Sequence, residues 1–488
     1  MNPGTYIYIL VAYFGVLFVI SFVTGKSSTN DTFFTGNRRA PWYVISFGML
    51  GASLSGVTFI SVPGWVLSTN FTYMQMVLGY VVGYIIISQV LLPIYYKLKL
   101  PSIYSYLDER FGQNTYKSGS WFFILSRTIG SSFRLFLMAN VLQITIFEQL
   151  GISFSVTVVV TILLIWLYTF RSGIKTIIWT DALQTFLLLA ALVITVIEIS
   201  GQLKLTAGET FSTVYSNPLS KIFVFDDFSS KQNFFKQFFS GIFITIVMTG
   251  LDQDMMQKNL SCRTLKDAQK NMRWYGFAFV PVNFLFLSLG VLLVIYANRI
   301  GMQIPERSDD LFPTLATGGY LSPYLAVIFM LGLVAAAYSS ADSALTSLTT
   351  SFSVDILGYN KEENELPREK RILVHFMFSV VLAVIILLFN KINNQAVVSA
   401  IFMVAGYTYG PLLGVYFAGL FTKMKPNDKQ IPYVMTGSPL VSIACYYGFK
   451  AIWDYTLGFE VLLLNGFITF LGLTLLHFMN NKTSIKQN

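Results

Sequence analysis

Apolar runs long enough to cross a membrane recur along the whole 488 residues, and nothing constrains this chain more. A hydrocarbon core about 30 Å thick needs about 20 residues of helix. Against that length, the runs predict spans at 5–24, 43–66, 73–96, 119–146, 154–170, 176–200, 234–256, 274–297, 319–347, 372–390, 395–421, 431–450 and 458–478. Charged residues make up 12% of the chain and hydrophobic ones 54%, where a soluble domain carries about twice that charge. A soluble enzyme, a disordered chain and a peripheral membrane protein are excluded. The expected fold is an all-α integral membrane protein of about thirteen transmembrane helices.

The net charge of +9 belongs to the loops and does not point to nucleic acid. Of the 33 Lys and Arg residues, 23 lie in the loops of one side, eight in those of the other, and Arg127 and Arg134 inside a span. By the positive-inside rule the N-terminus is outside and the C-terminus cytosolic. The first run has no basic n-region or small-residue cleavage site, so it is expected to stay as a span. Cys262 and Cys445 are expected as reduced thiols.

Two spans are not clean helices. The second reads FGMLGASLSGVTFISVPGW, interrupted by Gly51, Gly56, Pro63 and Gly64; the seventh, FFSGIFITIVMTGLDQD, ends abruptly in carboxylates. Broken helices at matching places in two inverted halves mark a transporter's binding site. The bland alternative is that these glycines permit close helix packing. The first reading divides the chain into a leading helix and cytosolic loop (1–42) and a five-helix repeat (43–200). An outer loop with the second repeat (201–430) and two C-terminal helices with a short cytosolic tail (431–488) follow.

The ninth span carries VAAAYSSADSALTSLTTSFSVDI, in which Ala336, Ser339, Ser340, Ser343 and Ser347 share one helix face. Hydroxyls and bare carbonyls suit a small hard cation, though such a stripe also serves helix packing. Asp342 in the same span and Asp181 in the sixth strengthen the ion reading, because carboxylates inside a membrane are expensive and usually line an ion path. For Asp181 the alternative is a helix-start carboxylate paired with Lys175.

Four strings then carry a resemblance. DTFFTGNR (31–38), PSIYSYLDERFG (101–112), LDQDMMQKNL (251–260) and SSADSALTS (339–347) stand in the order found in the sodium:solute symporter family, which this chain resembles from the first span to about the eleventh. The resemblance implies two inverted five-helix repeats with broken first helices, of the LeuT-like kind, in the plasma (inner) membrane. It implies Na+ as coupling ion and no other cofactor, with a small-molecule substrate, sodium ions and the lipid bilayer as partners. It places a sodium ion on the carbonyls of Gly51, Leu54 and Ala336 and the hydroxyls of Ser339 and Ser340. A second sodium, present in some members, maps onto Asp181, Ser339, Asp342 and Ser343, where the family more often has serine at position 342. The substrate pocket maps onto Ser53, Ser55, Thr58 and Tyr73, with the region of Gln75 facing the same cavity and Val77 standing where sialic acid carriers use a glutamine.

Arg134 lies deep in the fourth span, and an unpaired guanidinium in hydrocarbon must meet a carboxylate, a carbonyl or water. It either reads a substrate carboxylate or pairs with Asp181, Asp252 or Asp342. Arg127, nearer the cytosolic end, is expected to snorkel. His375 and His477 have no metal or nucleophile spacing around them. The reading is a sodium-coupled symporter, not an enzyme, importing an organic anion such as a sialic acid, monocarboxylate or sugar acid. A neutral sugar or polyol is the alternative, favoured by the hydroxyl cluster; a membrane sensor related to transporters and a membrane-embedded transferase are weaker ones.

Overall fold

In hydrocarbon a backbone satisfies its own hydrogen bonds only within a helix or a closed barrel, and every long apolar run here folds as helix. The computed structural model describes residues 3–24, 33–34, 36–98, 102–170, 173–359, 366–392 and 397–487. Asp31, Thr32, Thr35 and Pro101 of the quoted strings, the first two residues of the 395–421 span, and Lys26, Lys99, Arg171 and Lys361 lie outside the described residues. The long helices are α1 Pro3–Thr24, α2 Trp42–Thr69, α3 Tyr73–Leu98, α4 Gln113–Leu150, α5 Phe154–Thr169 and α6 Ile174–Gln202. Then come α7a Phe234–Gly250 with α7b Gln253–Asn259, α8 Leu265–Arg299, α9 Pro323–Ile356, α10 Arg368–Ile392, α11 Val397–Phe421, α12 Ile431–Trp453 and α13 Val461–Gln487. They match the predicted runs in position. By length and apolarity, however, ten of the described helices can cross a membrane, or 11 with the bent pair counted as one. The expectation of thirteen crossings is therefore not met on that measure. At 16 residues α5 is short, and α12 carries Thr436, Ser438 and Ser442 among its apolar residues.

The molecule is arranged around α9, which is buried almost continuously from Val334 to Ser351 and packs against α2, α4 and α6. Its alanines and serines let three neighbours approach closely. By contrast α6 exposes Phe186, Val193 and Ile197 on its outer face, as a lipid-facing surface requires. Both predicted breaks are present. In α2, Ser55 takes φ 33° and ψ 165° inside an otherwise helical run. Between α7a and α7b the axis bends by 70°. Four helices contain a π turn: Ile87–Leu91, Gln143–Phe147, Ile246–Gly250 and Phe352–Ile356, a form that often marks functional places in helices.

The glycines also pack helices closely, as the alternative reading held. Where α3 meets α7a, a Cβ at Gly79 would stand 2.2 Å from the Phe238 carbonyl oxygen, and one at Gly241 would stand 2.3 Å from that of Met76. At the α2–α6 crossing a Cβ on Gly51 would meet Thr185 Oγ1 at 2.0 Å.

Candidate substrate and cation sites

A positive φ is costly for serine, and Ser55 accepts it while almost fully buried. The break interrupts the helical hydrogen-bond ladder, and the carbonyl oxygen of Ala52 is taken up instead by the hydroxyl of Ser340 at 3.0 Å. The same hydroxyl lies 3.4 Å from the carbonyl oxygen of Ala336. The unwound turn holding Gly51 and Leu54 thus lies against the stretch of α9 holding Ala336, Ser339 and Ser340. All are buried, and their oxygens are the hard, uncharged kind that suits Na+. Ala52 was not among the expected ligands; its only signal in the sequence is its place in the broken turn.

Ser53, Ser55, Thr58, Tyr73 and Arg134 all line one cavity of about 110 Å³. Tyr80, Tyr84 and Tyr275 share its wall, and Thr245 and Thr249 of α7a complete it. Ser53 Oγ is 2.5 Å from the Tyr275 hydroxyl, to which Tyr84 donates at 2.8 Å. These tyrosines were missed, since their aromatic runs read as ordinary core. A wider cavity of about 360 Å³, bordered by the 231–237 and 456–461 segments, shares Trp65, Tyr73 and Phe402 with the first. The Trp65 and Phe402 rings stand stacked at 6.5 Å between the two. Gln75 does not face either cavity. Its amide donates to the Gln232 carbonyl at 2.8 Å and accepts from the Val224 N–H at 3.1 Å, fastening the Phe-rich segment to α3. Val77 is core.

The two arginines of α4 behave differently. Arg127 does not snorkel: it is 6% exposed, ion-paired with Asp254 and 3.8 Å from Asp252. Tyr409 donates to Asp252, and Asp252 also caps α7b by accepting the Met255 N–H at 3.2 Å. The guanidinium of Arg134, in contrast, has no carboxylate within 4.0 Å among the described residues, so the alternative pairing with Asp181, Asp252 or Asp342 is not made.

Asp181 does not begin its helix or pair with Lys175. It lies seven residues into α6, with Oδ2 2.7 Å from the Lys258 ammonium and Oδ1 accepting the Ser339 hydroxyl at 2.5 Å. Asp342 accepts the Tyr168 hydroxyl at 2.8 Å and the Ser343 N–H at 2.6 Å. Lys258, counted above with the loop lysines, is 1% exposed. His375 is held between the hydroxyls of Thr169 and Thr349, each at 2.8 Å, a satisfied core histidine.

Residues 33–428 match the sequence profile of the sodium:solute symporter family. The chain belongs to that family, as the four strings implied. It is a sodium-coupled solute symporter, a multi-pass membrane transporter and not an enzyme. It is 25% identical over 440 residues to a sodium/sialic acid symporter of Aliivibrio fischeri, covering 86% of this chain and 84% of that one. A sodium/sialic acid symporter of Proteus mirabilis is 25% identical over 468 residues, covering 90% and 89%. The human sodium/iodide cotransporter is 21% identical, covering 86% of this chain and 65% of its own length. Among solved structures, a sodium-coupled sialic acid symporter in a substrate-bound outward-open state superposes with a TM-score of 0.82 at 20% identity, covering 96% and 97%. The nucleobase-cation-symport-1 transporter Mhp1 gives a TM-score of 0.56 at 14% identity, covering 90% and 93%. The fold is thus the LeuT-like one, with two inverted five-helix repeats.

Proposed function

We propose that this symporter carries a small organic anion, and that Arg134 reads its carboxylate. The observation that carries this is the Arg134 guanidinium, without a carboxylate partner among the described residues, in the wall of the cavity that also holds Ser53, Ser55, Thr58 and Tyr73. A cation buried beside hydroxyls and facing open space is suited to a two-pronged bond with a carboxylate. The sialic acid carriers among its relatives support the same class.

In this reading Gly51, Leu54, Ala336, Ser339 and Ser340 hold the coupling sodium. A cation there draws the unwound turn of α2 against α9 and so sets Ser53 and Ser55 for the solute. Each ligand then raises the other's affinity by the same factor. Asp181, Ser339, Asp342 and Ser343 form a second cation position beside the first. The protein lies in the plasma membrane with its N-terminus outside and C-terminus cytosolic, and the division at 1–42, 43–200, 201–430 and 431–488 separates the repeats from their flanks. The wider cavity is then the outer vestibule, and a potential of ~100 mV adds ~2.3 kcal/mol per charge moved inward.

The three hydroxyls of Ser53, Ser55 and Thr58 favour a second reading, a neutral sugar or polyol. Uptake into proteoliposomes under an inward sodium gradient separates them. N-acetylneuraminic acid, lactate or glucuronate should accumulate in a sodium-dependent way and glucose or mannitol should not. Glucose accumulated as well as any acid would sink the anion reading.

A further inference from the structure

We infer that the ammonium of Lys258 is the resident occupant of the second cation position, so that this chain takes up one sodium ion where its oxygen ligands alone would hold two. The inference rests on the sodium-symport reading above.

Lys258 is on α7b, past the bend of the seventh helix, and its side chain is turned inward rather than into a loop: 1% of it is exposed. Its nitrogen lies 2.7 Å from Asp181 Oδ2, the distance of a close ion pair. A lysine ammonium is a compact point charge on a long stem, unlike the flat fork of an arginine, and so can stand among oxygens much as a bare cation does.

The four residues of the second position do not fit a further ion. Asp181 is engaged on both oxygens, by Lys258 and by Ser339. Asp342 is engaged on both, by Tyr168 and by the Ser343 backbone. Asp181 Oδ2 faces only the ammonium, as an ion pair, and the Ser343 hydroxyl makes no hydrogen bond among the described residues. A sodium ion placed here would share the Asp181 carboxylate with an ammonium of the same sign. The other carboxylate on α7b, Asp254, is held by Arg127, so Lys258 is not drawn away along its own helix.

The test is a direct count of bound sodium, which requires no knowledge of the solute. Equilibrium binding of radioactive sodium to the purified full chain in lipid nanodiscs should saturate at one ion per chain. Lys258→Gln removes the ammonium and keeps a polar side chain of similar length, and it should raise the count to two. Two ions on the unmutated protein would overturn the inference while leaving sodium symport intact, as would a folded Lys258→Gln protein that still binds one. No sodium binding by the unmutated protein would overturn the symport reading itself. If Lys258→Gln does not fold, the unmutated count decides alone, one ion supporting the inference and two rejecting it.

Discussion

Seven residues of α4, about 10 Å of helix, separate two buried layers that handle charge in opposite ways. Around Arg127 every neighbouring charge has a protein partner: Arg127 with Asp254 and Asp252, Asp252 with Tyr409, and Lys258 with Asp181. The same cavity reaches both arginines, but around Arg134 its polar groups are only partly used by one another. In the sequence Arg134 reads as the deeper anomaly and Arg127 as a residue that reaches out of the membrane, which it does not. What distinguishes them is whether α7b brings a carboxylate within reach, and that separates a group that holds the fold together from one left available to a ligand.

The comparison can be broken most directly at Arg127. Replacing it with Gln leaves Asp254 buried without its cation, a loss of about 3–5 kcal/mol in stability, because removing one partner strands the other's charge. Thermal unfolding in detergent should show a clear fall, partly recovered in the Arg127→Gln/Asp254→Asn double variant. A single variant that melts like the unmutated protein would erase the distinction between the layers. Next in size is Arg134→Lys, which keeps charge but loses the planar fork. Affinity for the acid should drop tenfold to a hundredfold, roughly 1.5–3 kcal/mol, while an amide analogue binds as before. Melting of Arg134→Gln should stay unchanged, since no partner is stranded; equal losses for acid and amide would return Arg134 to a structural role.

Smaller effects sharpen the boundary of the sodium site. Ser339→Ala and Ser340→Ala should each raise the half-saturating sodium concentration about twofold to tenfold, the range of one hydrogen-bonding group at ~0.5–1.5 kcal/mol. Ser347→Ala should matter less, because that hydroxyl lies seven residues, about two helical turns, beyond Ser340. Smallest of all is Gln75→Ala. It unfastens the 224–232 segment and should speed limited proteolysis there with sodium dependence intact.

Much of the fold could be read in advance because hydrocarbon leaves so few choices: length, apolarity and interrupted glycine-rich runs located the helices and both breaks. The stripe of α9 was legible for the same reason, since a period of three and four places Ser339, Ser340 and Ser343 on one face. Long-range pairings were not. Nothing local in LDQDMMQKNL tells that Asp254 meets α4 while Lys258, four residues on, meets α6; the 70° bend before α7b carries both inward to partners far away in sequence. Gln75 was misplaced similarly, since its partners are backbone groups about 150 residues away.

The contact of Gly79 and Gly241 with facing backbone makes the seam between α3 and α7a a weld rather than a bearing. At those two crossings backbone faces backbone, so the smallest piece that can swing is the welded pair. Tyr73, Tyr80 and Tyr84 ride on one member and Thr245 and Thr249 on the other. As the transporter turns its cavity from one side of the membrane to the other, that wall travels as a single plank, with its five hydroxyls in fixed register. Regrouping then falls to the opposite wall, at Ser55 and Arg134.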